Sequence, residues 1–169
     1  MTDYSLLAVH ELKSYIWNQL KAANILNESD YYADNFSEPL VPIIPTQQMP
    51  EFNNLLPGAT YIVYAYETFP IPAQWWLTTE SIQLMIVSND YDKINTILNF
   101  LVDTFRRYDD SANEIFQSVT ISNTFNFKYT SIERVEAPTP FKSEGGLMVG
   151  NIDIVYAYTR KLDSGGKFQ

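Results

Sequence analysis

The chain predicts an α+β fold: a mainly antiparallel sheet packed by an N-terminal helix and a central helix, in the order helix, hairpin, helix, strands. Three observations predict it. Residues 83–107 change from an apolar strand to an amphipathic helix within a few positions, residues 5–24 repeat apolar side chains at helical spacing, and the segments at 61–67 and 147–160 are rich in β-branched and aromatic residues. With 169 residues, 46% of them hydrophobic and 15% aromatic, the chain can bury one sizeable core, so a single domain spanning 1–169 is expected.

The first helix places Val9, Leu12, Ile16, Leu20 and Ala23 on one stripe, with Glu11, Lys13, Asn18 and Lys21 elsewhere, and Asp3 or Ser5 available as its cap. From residue 27 to residue 58 the periodicity vanishes. Prolines at 39, 42, 45, 50 and 57 disfavour helix for the residues before them, so this stretch reads as a long Pro-rich loop. Its apolar part, Leu40-Val-Pro-Ile-Ile-Pro45, is too hydrophobic for a free linker and is expected to lie along the body of its own subunit or a neighbour's.

Residues 61–67 form a strand, and residues 82–87 a second one that pairs with it as an antiparallel hairpin. The connection between them, an aromatic loop at 68–80, carries Phe69, Ile71, Trp75 and Trp76. Asp90 is placed to cap the central helix, with Asp92 in its first turn, where the macrodipole favours negative charge. Ile94, Ile97, Leu98, Leu101, Val102 and Phe105 follow at helical spacing, and Arg106 and Arg107 close the helix. Asp110 or Ser111 with Glu114 suggests a capping box and a short helix to about Gln117.

Residues 119–122 and 124–136 alternate aromatic and polar side chains as one bent strand or two, ended by Pro138 and Pro140. After the turn-forming Ser143-Glu-Gly-Gly146, residues 147–160 are expected to form the longest strand, with Ile152, Ile154, Tyr156 and Tyr158 on one face. The polar tail at 161–169 is expected to be flexible.

Chemistry has few footholds in this sequence. Cysteine is absent, which excludes disulfides, thiolate nucleophiles and the usual structural zinc sites. The single histidine, His10, sits on a helix flank without His or Cys neighbours and reads as a surface residue. Asp90 with Asp92, and Asp109 with Asp110, read as helix-start residues before they read as cation ligands. Gly145-Gly146 precedes a strand and so cannot place helix amides on a phosphate, and no serine stands in a nucleophile elbow. No catalytic residue, cofactor or metal is therefore expected.

Lys and Arg total 11 against 20 Asp and Glu, a net charge of −9, so no basic footprint for gripping nucleic acid is present. The start of the chain lacks the basic flank and apolar run of a signal peptide, and no segment reaches the roughly 20 apolar residues of a membrane span. The expectation is a soluble protein kept inside the cell, without a membrane partner. Exposed apolar side chains mark interfaces, which makes Leu40, Val41, Ile43 and Ile44 of the Pro-rich segment, and Phe69, Ile71, Trp75 and Trp76 of the aromatic loop, candidate subunit or partner contacts. The alternative for both segments is that they fold back over their own core.

The order of elements resembles the tail terminator and tail-completion proteins, the head-tail joining or neck proteins, of long-tailed bacteriophages. Three stretches carry the likeness: Ile86-Val-Ser-Asn-Asp-Tyr-Asp92 leading into the central helix, Asp103-Thr-Phe-Arg-Arg107 at its end, and the closing strand with Tyr156-Ala-Tyr-Thr-Arg160. The resemblance covers most of residues 60–160, and the insertion at 27–58 departs from a minimal version. It implies a virion protein in the tail-neck region, made in the host cytoplasm and assembled as a hexameric ring. Such a ring ends tail tube growth and offers a docking face to the head connector, with contact to a sheath left open, while genome DNA passes without specific binding. Two other classes stay open: a non-enzymatic α+β binding or scaffold module that remains monomeric, and a small carboxylate-dependent enzyme, which would need a cleft with converging acids.

Overall fold

In the computed structural model the described residues are 4–69, 78–105, 125–140 and 146–160. They form an α+β arrangement: helix α1 (Tyr4–Ala22), strand β1 (Ile43–Pro45), helix α2 (Met49–Leu55), strands β2 (Tyr61–Phe69) and β3 (Thr78–Ser88), helix α3 (Tyr91–Phe105), and strands β4 (Phe125–Pro140) and β5 (Met148–Arg160). The five strands make one sheet in the order β1-β2-β3-β5-β4. Only the β1–β2 pair is parallel; the other three are antiparallel.

Alternation decides which face the helices cover. Ile82, Leu84 and Ile86 of β3 and Ile152, Ile154, Tyr156 and Tyr158 of β5 are all buried, and they share one face because successive strand residues point to opposite sides. Helix α3 lies on that face: Gly150, opposite Ile86, sits directly beneath Ile94 and Leu98. Helix α1 lies beside it, with the Tyr15 ring edge-on to Phe105 at 6.3 Å, and buries Ala8, Val9, Leu12, Ile16 and Leu20 in the same core. On the opposite face Ser81, Gln83, Met85, Asn151, Asp153 and Val155 are half-buried.

Local chemistry sets the ends of the helices. Helix α1 stops before Asn24, which takes a positive φ of 54°. The amide of Asn24 donates to the Lys21 carbonyl and that of Ile25 to the Leu20 carbonyl, each at 3.0 Å, so the last turn closes in a Schellman motif. Ala23, expected on the apolar stripe, is consequently outside the helix and exposed. At the start of α3, Asp90 Oδ1 accepts from the amides of Asp92 (3.0 Å) and Lys93 (3.1 Å), the N-cap the sequence predicts.

Several boundaries differ from expectation for physical reasons. The segment 27–58 is not an extended loop: it contains two short 3-10 turns, β1 and α2. Pro50 lies in the first turn of α2, where its missing N–H would have had no partner anyway. The hairpin strands run further than expected, to Phe69 and from Thr78, so the loop between them is shorter than 68–80. Pro140 is the last residue of β4, as expected, but Pro138 does not end it, because an edge strand loses no ladder bond on its free side and a register shift between Glu136 and Thr139 accommodates it. At 16 residues β4 is also longer than β5, with 13, so the closing strand is not the longest. The expected helix to about Gln117, the strand at 119–122, the caps Asp3 and Asp110, and the tail at 161–169 lie outside the described residues.

Candidate interface at the two sheet edges

The Pro-rich segment is fastened to the body of the subunit from its first turn. Tyr31 is buried edge-on against Trp17 at 5.5 Å and donates its hydroxyl to the Thr60 carbonyl at 2.7 Å. The Leu40 amide returns to the Tyr31 carbonyl at 2.8 Å, and the Ile62 amide reaches the Pro42 carbonyl at 2.7 Å, which sets β1 against β2. Phe52 of α2 then packs on Tyr61 with ring centroids 5.1 Å apart.

Between α1, β1 and α2 these contacts leave a groove of about 350 Å³, lined by Lys13, Phe36, Leu40, Val41, Glu51 and Phe52 among others. The predicted contact residues separate here. Leu40 is half-buried in the groove wall and Val41 is 41% exposed on it. Ile43 and Ile44 are 1% and 6% exposed, since they supply the core side of β1. Phe69 is the last residue of β2, and Ile71, Trp75 and Trp76 lie outside the described residues.

Sequence reasoning missed Lys13 as part of this surface. Its ammonium sits 5.6 Å from the centre of the Tyr64 ring, and burial lowers its pKa below the usual lysine value. Among the described residues no carboxylate comes within ion-pair distance of it. Phe36 (48% exposed) and Tyr32 (50%) were missed too, and a turn segment holding aromatics at 31, 32 and 36 was the available signal.

The other edge of the sheet is β4. There Val135 is 47% exposed, an aliphatic side chain that no periodicity flags. Its neighbour Arg134 is drawn inward: Nε donates to Asp153 Oδ2 at 2.8 Å and Nη1 lies 3.2 Å from Glu136 Oε1. Glu136 also accepts from the Asn151 side-chain amide at 2.7 Å. Glu133 falls at a register shift between Ile132 and Arg134, so its residue has no cross-strand partner on β5.

One further cluster is buried. Glu80 is fully enclosed, with the Tyr156 hydroxyl donating to Oε2 at 2.7 Å and the Tyr158 hydroxyl to Oε1 at 2.9 Å. Being closed to solvent, the cluster satisfies a carboxylate inside the core and does not present it to a substrate. A second hollow of about 480 Å³ lies at the start of α3, near Asp30, Thr60 and Lys93, but Asp90 Oδ1 there is already engaged as the cap. His10 is exposed. Among the described residues no three His, Cys, Asp or Glu side chains converge on a metal position, and no helix is long and apolar enough to cross a membrane. No protein-family model matches the chain, and no curated protein matches it.

Proposed function

We propose that this chain is a structural virion protein of a long-tailed bacteriophage. In this reading it is a tail terminator or neck subunit that forms a ring, of six copies by the resemblance described above, ends tail tube polymerisation and offers a docking face to the head connector. The observation that carries the reading is the position of the exposed apolar side chains. Phe36 and Val41 stand at the β1 edge of the sheet and Val135 at the β4 edge, so the two surfaces differ and lie on opposite sides of one subunit. Contact between unlike surfaces is heterologous, and it yields a closed ring when the rotation between copies closes.

The charge supports the same reading. A net charge of −9 suits a conduit through which DNA passes without being gripped, since like charges repel. The test is the assembly state, read by mass in solution and by electron microscopy of the purified protein with and without tail tubes. Rings that cap tube ends are expected. A protein that stays monomeric at high concentration and leaves tube length unchanged overturns the proposal and returns the chain to the class of single-partner binding modules.

A further inference from the structure

We infer that the groove beside β1 receives the outer edge of β4 from a second copy of this chain, with Val135 seated among Phe36, Leu40 and Val41 and the Glu133 carboxylate meeting the Lys13 ammonium. The inference rests on the ring reading above and names the contact that would build the ring.

Each half of the contact lacks what the other provides. The groove is apolar along Leu40, Val41 and Phe52 and holds the half-buried Lys13 ammonium over the Tyr64 ring; Glu51 also lines it, and among the described residues no carboxylate lies within ion-pair distance of Lys13. A partly desolvated ammonium set against a ring face still gains from a carboxylate, so the groove suits an occupant that combines an aliphatic side chain with an acid. The β4 edge offers that combination. Glu133, Arg134 and Val135 are all exposed, but the Arg134 guanidinium is engaged by Asp153 and Glu136. With the Arg134 charge compensated within the subunit, the stretch offers a partner an acid and an aliphatic group two residues apart.

A single copy cannot make the contact within itself. The groove and Val135 belong to opposite edges of a five-stranded sheet, about 19 Å apart at the usual strand spacing. The contact is also one of side chains, not an added strand. Pro42 turns its carbonyl to β2, and Pro45, in the alternate phase, removes an amide donor from the outer edge of β1, a common device against strand addition.

Charge reversal tests the contact. Sedimentation of the purified full chain over a concentration series should show the dissociation constant of wild-type rings raised about tenfold or more by Lys13→Glu or by Glu133→Lys, and restored to within about threefold in the double variant. Val135→Asp should weaken assembly by a similar factor. Far-UV circular dichroism checks that each variant folds. If Lys13→Glu does not fold, Lys13→Met keeps the stem over Tyr64 and should still weaken assembly. Wild-type rings with single variants that assemble normally, or a double variant that is not restored, overturn this contact and leave the ring reading intact. A wild-type protein that never self-associates, alone or on tail tubes, overturns both.

Discussion

The Tyr156 hydroxyl donates a 2.7 Å hydrogen bond to the Glu80 carboxylate from the directly opposing position on the neighbouring strand, and both side chains are fully buried. A carboxyl group in line with Ile82 and Leu84 would be expensive to bury without donors, and the two β5 tyrosines supply donors to Glu80 on the face the helices cover. Tyr156→Phe removes one donor at almost constant volume. It should destabilise the fold by about 1–3 kcal/mol, seen as a lower urea midpoint with an unchanged slope. An unaltered midpoint would show that the hydroxyl contributes nothing net.

Gly150 sets the distance between α3 and the sheet. A Cβ at this position would lie 2.6 Å from Ile94 Cγ2 and 2.9 Å from Leu98 Cδ1. Leu98 can rotate away, but the Ile94 methyl is attached at a branched Cβ on a helix and is held by its backbone. Gly150→Ala should therefore cost about 1–3 kcal/mol through overpacking, measured by chemical denaturation. Combining it with Ile94→Val, which does not remove Cγ2 if the rotamer is kept, should recover little, whereas Ile94→Ala should recover part of the loss.

What was legible in the sequence is what local chemistry decides. Helix α3 announces itself through Asp90 and the apolar series from Ile94 to Phe105, and β5 through its alternating Ile and Tyr residues. The parallel β1–β2 pair was not legible, because Ile43 and Ile44 find their partners across a segment whose prolines dominate any local reading. Helix α2 was hidden by Pro50, a breaker in a helix interior and harmless in a first turn. Glu80 falls within the loop expected at 68–80, although it is in phase with Ile82, Leu84 and Ile86 and is buried with them. The depth of the apolar segment was not legible: Ile43 and Ile44 are buried at the floor of the groove, while Val41, Phe36 and Lys13 line it nearer the surface.

The Asp90 cap separates a structural role from a metal-binding one. Asp90→Ala removes the acceptor for two amides at the start of α3 and should cost about 0.5–2 kcal/mol, with faster hydrogen exchange confined to the first turn of that helix. Asp92→Ala removes only a favourable charge near the dipole and should cost about 0.3–1 kcal/mol. Added calcium or magnesium should leave the thermal midpoint of the wild-type protein unmoved, and a cation-dependent rise that disappears in Asp90→Ala would assign the pair to a metal after all.

Tyr31 gives the fold an alkaline limit. Burial, with a smaller contribution from the charge of Asp30, raises its phenol well above the ordinary value of 10.0. The folded state therefore favours the neutral phenol, while the unfolded chain releases the proton near the ordinary value. The resulting stability is fully present below pH 10.0 and drains away as the pH climbs through the unfolded and then the folded pKa. Tyr31→Phe removes both this titration and the hydrogen bond to the Thr60 carbonyl. At neutral pH it should cost about 0.5–1.5 kcal/mol, and the difference from wild type should shrink as the pH rises from about 9 to about 11. Because the chain has 12 tyrosines, phenolate absorbance must be compared between wild type and Tyr31→Phe. The missing step should be one that appears in the wild-type protein only above the titration of the exposed tyrosines or on unfolding. A constant stability difference across that range would mean that the Tyr31 phenol titrates alike in the folded and unfolded chain.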